Sequence, residues 1–267
     1  MVSGIKKRSV FTYQEIKDYM NCSLCYHLEY ILKEDVPTNY YVQNRRVASD
    51  EAILVAISNY YFLHMEGKPP SLKELYKKYY DEFSIKLGLK EKQNFLTDTV
   101  TDESIRSTTR NAYRWLRMFY EWNATTPQVV IAINHNFLLR YDELVVEAEF
   151  PLIREVENED GQREIELIVF GQASRSTPEE SLVEDMDSTV LLKGFKEAFG
   201  VQPDKLLMYS VEKGKAFELY RTESDLKKLE NTFLGFYQSL KNVSPHQRIG
   251  AHRTSGKFKH LCDTYYD

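Results

Sequence analysis

The hydrophobic period of this chain changes at Val129 from helical spacing to two, and that change decides what it can fold into. Before it, apolar residues recur at helical spacing; from Val129 to Phe170 they alternate with a period of two. The segment TYQE opens the helical stretch as a capping box. Thr12 can accept from the amide of Glu15 while Glu15 reaches back, and Ile16, Tyr19 and Met20 follow on one face. EAILVAISNYYFLH is a nearly continuous apolar helix. SLKELYKKYYDEF starts at a Ser N-cap after Pro69 and Pro70, and DESIRSTTRNAYRWLRMFYEW closes the region.

After the change, VVIAINHNFLLR, ELVVEAEFPLIREV and REIELIVF read as three strands. The last two are joined through NEDGQ, whose Asp160-Gly161 pair favours a hairpin. A helix over Met186 to Phe199 ends at Gly200. KLLMYSVEKGKAFELY gives a strand, a Lys-Gly turn and a second strand, and SDLKKLENTFLGFYQSLK is a final amphipathic helix. The expectation is an α/β fold with a central mixed sheet flanked by helices. It has a helical N-terminal portion (1–125), an α/β core (126–245) and a basic C-terminal tail (246–267).

Composition narrows the classes. With 267 residues and 42% hydrophobic content the chain can bury a sizeable core, and no apolar run approaches the ~20 residues that cross a bilayer. A cytoplasmic protein without a membrane partner is expected. Three cysteines (Cys22, Cys25 and Cys262) make no disulfide framework. The net charge of -5 offers no global attraction for nucleic acid, so any such binding needs a local patch. The 19 Tyr and 14 Phe are expected mostly in or beside the core, Tyr keeping its hydroxyl wet.

The order of elements, together with several segments, resembles the PD-(D/E)XK nuclease superfamily, in particular its RecB-like and CRISPR-associated exonuclease branch. TYQEIKDYMNCSLCYHLEYI supplies Thr12, Cys22, Tyr26, Leu28 and Tyr30 where that branch has a helix-opening Ser or Thr and a CPxxxYxLxY-like segment, with Ser23 in place of the Pro. AEFPLIR, LIVFGQAS, DMDSTVLLKGFKEAFG and PDKLLMYSV lie over the family's GxxDLI, IVDFKTS, DxQLxxYxxALxxxFG and PDxLxLYxL segments. The resemblance implies a restriction-endonuclease-like core and a role in DNA processing.

What it implies about the site is loss. The first metal-binding acid falls on Pro151, the second on Phe170 and the lysine on Gln172. The supporting Gln falls on Asp187, the Tyr on Leu191, and the helix His among Ala48 to Glu51, where there is none. Mg²⁺ needs oxygen ligands, and neither proline nor phenylalanine side chains offer one. The implied protein is therefore a catalytically silent DNA-binding or structural subunit working with a protein partner or larger assembly, without a cofactor. Phe170 should then pack against the Met186 to Phe199 helix.

The competing expectation is an active Mg²⁺-dependent exonuclease or endonuclease with migrated carboxylates. Glu147 and Glu149 share a face with Pro151, since side chains alternate along a strand, Glu166 shares parity with Phe170 and Gln172, and Asp185 and Asp187 start the next helix. Two further patterns carry chemistry. Cys22, Cys25, His260 and Cys262 could make a four-ligand zinc site, although the two helical cysteines also suit the core as small hydrophobes. An iron-sulfur cluster is not expected with Cys262 alone in the tail. Arg106, Arg110, Arg114 and Arg117 form one stripe that could meet DNA phosphates weakly, or be a solvated helix face. Arg248, Arg253, Lys257 and Lys259 make a second basic patch.

Overall fold

The computed structural model describes residues 8–35, 40–89, 103–124, 126–171 and 186–242, together with Phe258. The chain opens with β1 (Val10–Thr12), α1 (Tyr13–Asn21) and α2 (Ser23–Tyr26), which runs into a π-helical turn, His27–Leu32. Then come α3 (Tyr40–Gln43), α4 (Arg45–Met65), α5 (Leu72–Lys86) and α6 (Glu103–Ala124). The core follows as β2 (Gln128–Tyr141), β3 (Leu144–Glu157), β4 (Arg163–Gly171), α7 (Met186–Phe199), β5 (Lys205–Ser210), β6 (Lys215–Glu218) and α8 (Glu223–Asn242).

Local chemistry sets the boundaries. Both halves of the capping box form at Thr12 and Glu15, and a second box forms between Ser71 and Glu74 at the start of α5. Gly200, at φ 73°, takes the left-handed conformation that ends α7. In the β3–β4 turn the Asn158 carboxamide oxygen accepts from the amides of Asp160 and Gln162, while Gly161 supplies the positive φ.

Six strands form one mixed sheet organised around β3. β2 pairs antiparallel along one edge of β3 over almost its whole length. The opposite edge is shared end to end: β1 pairs parallel at Val145 to Glu147, and β4 pairs antiparallel from Leu152 to Glu157. β4 then runs parallel to β5, and β6 completes the edge antiparallel to β5. The strand β1 lies within the stretch read as helical; three residues before a capping box leave too short a period-two signal.

Helices cover both faces, giving three layers. On one face Ala48, Ala52, Ala56 and Tyr60 of α4, with residues of α5 and α6, pack on Leu152, Ile168, Leu207 and Tyr209. Small residues every fourth position let α4 approach closely. On the other face Val190, Leu191 and Phe195 of α7 and Leu229, Phe233 and Phe236 of α8 pack on sheet residues such as Val146, Phe150, Leu167 and Met208. Gly194 is where α7 meets β2, since a Cβ there would fall 2.1 Å from the Phe137 ring. Among the described residues no helix is long and apolar enough to cross a membrane.

Candidate functional site

The geometry of interest is a fork in the sheet. The β3–β4 ladder ends at the pair Leu152–Ile168, after which β4 stays with β5 as far as Gly171–Ser210 and β3 continues toward β1. Pro151 and Phe170 lie just past the split, one on each arm. This places the two positions expected to carry the lost acids at one mouth.

Phe170 does not pack against the Met186 to Phe199 helix as expected. It is half-buried on the opposite face, with ring centroids 6.2 Å from Tyr61, 6.4 Å from Phe119 and 6.4 Å from Tyr209. The reason is parity: Phe170 shares a side with Ile168, and that side faces α4 and α6. Tyr209 in turn stacks on Trp122 at 4.4 Å.

The acids of the migrated-site expectation are dispersed or engaged. Glu166 is 7% exposed and paired with Arg154, itself 2% exposed, its Oε2 accepting from Nε at 2.8 Å and lying 2.7 Å from Nη2. The same guanidinium donates to Gln128 at 2.7 Å and to Asn123 at 3.3 Å, and lies 4.4 Å from the Trp122 ring centroid. Asn123 also accepts from the Tyr61 hydroxyl at 2.6 Å. This network ties the end of α6 to three strands. Asp187 accepts from the Tyr13 hydroxyl at 2.6 Å and from Lys17 at 2.9 and 3.0 Å, joining α7 to α1. Leu191, onto which the resemblance puts the family's Tyr, is buried on the α7–α8 face.

Glu149 is exposed, and partial desolvation nudges its carboxyl above the ordinary range. It does not share a regular alternation with the residues beyond Pro151. Val146, Ala148 and Phe150 face α7 and α8, as does Ile153, whereas Leu152 faces the other way, so the pleat slips by one between Phe150 and Ile153. Asn134, opposite Pro151 on β2, takes φ 46° at the same level. Asp185 and Gln172 lie outside the described residues. Among the described residues no three His, Cys, Asp or Glu side chains group as metal ligands. The side chains of Pro151 and Phe170 offer a hard cation no oxygen ligand, and Glu166 and Asp187 are engaged by other partners.

One further acid lies within Ala48 to Glu51, the segment onto which the resemblance puts the helix His. Asp50 of α4 sits 3.9 Å from Arg46, which also reaches Glu212 in the β5–β6 turn at 3.7 Å. Burial pushes its carboxyl up to about 6, with Glu212 and Glu51 adding and Arg46 opposing.

The arginine stripe lies along α6 as read. Arg110, Arg114 and Arg117 are exposed and Arg106 is half-buried. Acids lace both ends: Glu103 lies 4.0 Å from Arg110, and Glu121 accepts from Arg117 at 2.8 Å. Cys22 is buried between α1 and α2, its Sγ accepting from the Cys25 amide at 3.3 Å, in a small cluster with Leu24, Leu28 and Phe258. His260 and Cys262, the other two ligands of the zinc expectation, lie outside the described residues, as does the basic patch at Arg248, Arg253, Lys257 and Lys259.

The Arg154 network was not foreseen, yet a signal existed. PLIREV and IELIVF each carry a charge beside or inside an apolar run, at positions symmetric about Asp160, and hairpin pairing sets such residues opposite each other. No protein-family model matches the chain, and no curated protein matches it.

Proposed function

We propose that the chain is a catalytically silent relative of the PD-(D/E)XK nucleases, with a restriction-endonuclease-like core, acting in DNA processing as a DNA-binding or structural subunit. The observation that carries the reading is Phe170. At the mouth where β3 and β4 part, a ring packed on Tyr61, Phe119 and Tyr209 stands where the resemblance puts a carboxylate. Two acids of the alternative site, Glu166 and Asp187, are bound to Arg154 and to Lys17 and Tyr13 respectively. The topology supports the same reading: an antiparallel β2–β3–β4 meander, then α7, then β5 parallel to β4.

DNA contact is assigned to Arg106, Arg110, Arg114 and Arg117. With Glu103 and Glu121 at its two ends, the stripe sets four cations against two anions, so binding is weak and sequence-independent. Fluorescence anisotropy of a labelled single strand and a labelled duplex across a salt titration tests it. Binding that weakens steeply with salt, and is abolished in Arg110→Glu/Arg114→Glu, is expected. No binding by the wild type at low salt overturns the DNA-binding part; equal binding by both proteins removes the stripe as its seat.

A further inference from the structure

β2 is an edge strand of 14 residues, and its two halves differ. The first half carries a register shift between Val130 and Ala132 and a positive φ at Asn134. Irregularities of this kind keep a strand edge from pairing with another chain. The second half, His135 to Tyr141, pairs with β3 without a break and has neither bulge, Pro, Lys nor acid. Its outer edge has no strand partner among the described residues. At its centre is Leu138, 44% exposed, and Asn136 and Arg140 on either side of it are exposed as well. A regular edge with an exposed leucine at its middle is the arrangement that soluble proteins ordinarily blunt.

We infer that this half of β2 is a self-association edge, on which a second copy of the chain adds its own β2 antiparallel, with Leu138 at the two-fold axis. The occupant follows from the residues in register. A two-fold at Leu138 sets each Arg140 beside the second copy's Asn136, and β3 already sets Asn136 beside Glu149. Each row then reads Glu149, Asn136, then the second copy's Arg140. The guanidinium and the carboxylate stand two strand spacings apart, about 10 Å, within the combined reach of the side chains. The central row is Leu138 against Leu138, flanked by Glu147 on each outer side. No like charges come side by side, and the surface is self-complementary as an isologous interface requires. On the opposite face the same register sets the second copy's His135 across from Tyr141, whose hydroxyl is buried without a hydrogen-bond partner among the described residues. A polyanion does not suit this edge, because Glu147 and Glu149 lie on the adjacent strand.

Sedimentation velocity of the full chain over a wide concentration range tests the inference. The expected result is a reversible shift from 31.4 kDa toward twice that mass. Leu138→Lys, which plants a charge on the axis, should weaken association at least tenfold. Arg140→Glu should weaken it too, and adding Glu149→Arg should restore it, since the rows are then reversed but intact. All three side chains are exposed, so each variant should melt with the wild type; should Leu138→Lys not do so, the Arg140 and Glu149 pair carries the test. A wild type that stays at 31.4 kDa at every concentration overturns the inference. So does equal association by wild type and Leu138→Lys, or a loss in Arg140→Glu that Glu149→Arg leaves unrepaired.

Discussion

Arg154 and Glu166 face each other across the β3–β4 ladder, both buried, with Nη2 and Oε2 2.7 Å apart. Buried ion pairs cost most when half of one is removed, because the remaining charge keeps its desolvation penalty and loses its partner. Glu166→Gln should therefore lower the unfolding free energy by about 3 kcal/mol in urea titration. Arg154→Met/Glu166→Leu should cost less than the two single changes added together. Additive losses would show that the two residues do not act as a pair.

Phe170→Asp puts a carboxylate into the ring cluster of Tyr61, Phe119 and Tyr209. The side chain is half-buried rather than sealed, so the loss expected is about 2–4 kcal/mol, combining lost packing with desolvation of the acid. Phe170→Leu should lose under about 1.5 kcal/mol. A melting midpoint unchanged in Phe170→Asp would mean that the mouth is open and wet, contrary to the packing described.

Asp50 should make stability depend on pH in the less usual direction. Its folded-state carboxyl is pushed up to about 6, above the unfolded value of ~3.9, so the folded protein binds this proton more tightly than the unfolded chain does. The contribution of this group to stability then falls as pH rises from about 4 to about 6, and the cost is fully present above that. Asp50→Asn should be more stable than the wild type at pH 7, by about 1–2 kcal/mol, with the gap closing by pH 4. Melting curves of both proteins across that range check it, and a pH-independent gap would contradict it.

Much of this fold was legible because the signals are local. The alternation in β2, β3 and β4, the Thr12 and Ser71 caps and the Gly200 stop each depend on residues within a few positions of one another. What stayed hidden is set by partners far along the chain. Asp187 reads as a helix-start acid, but its oxygens are taken by Tyr13 and Lys17, more than 160 residues away. The side on which Phe170 packs depends on which helices cover which face, and hydrophobic alternation alone treats the two faces of a buried strand alike. The slip of the pleat between Phe150 and Ile153 breaks the regular alternation that would carry the face of Glu147 and Glu149 on through β3, since a one-residue change in register turns every later side chain over.

The proposal of a catalytically silent nuclease relative is tested most directly at the β3–β4 mouth. The measurement is cleavage of end-labelled single- and double-stranded DNA by the purified full chain, with Mg²⁺ and with Mn²⁺, over hours. The expected result is intact DNA in every lane, because the proposed relationship puts Pro151 and Phe170 where ligands would be needed, and Glu166 and Asp187 are held by Arg154 and Lys17. Metal-dependent cleavage that disappears in Glu149→Ala or Asp187→Ala would contradict it and establish a working site built from carboxylates at new positions.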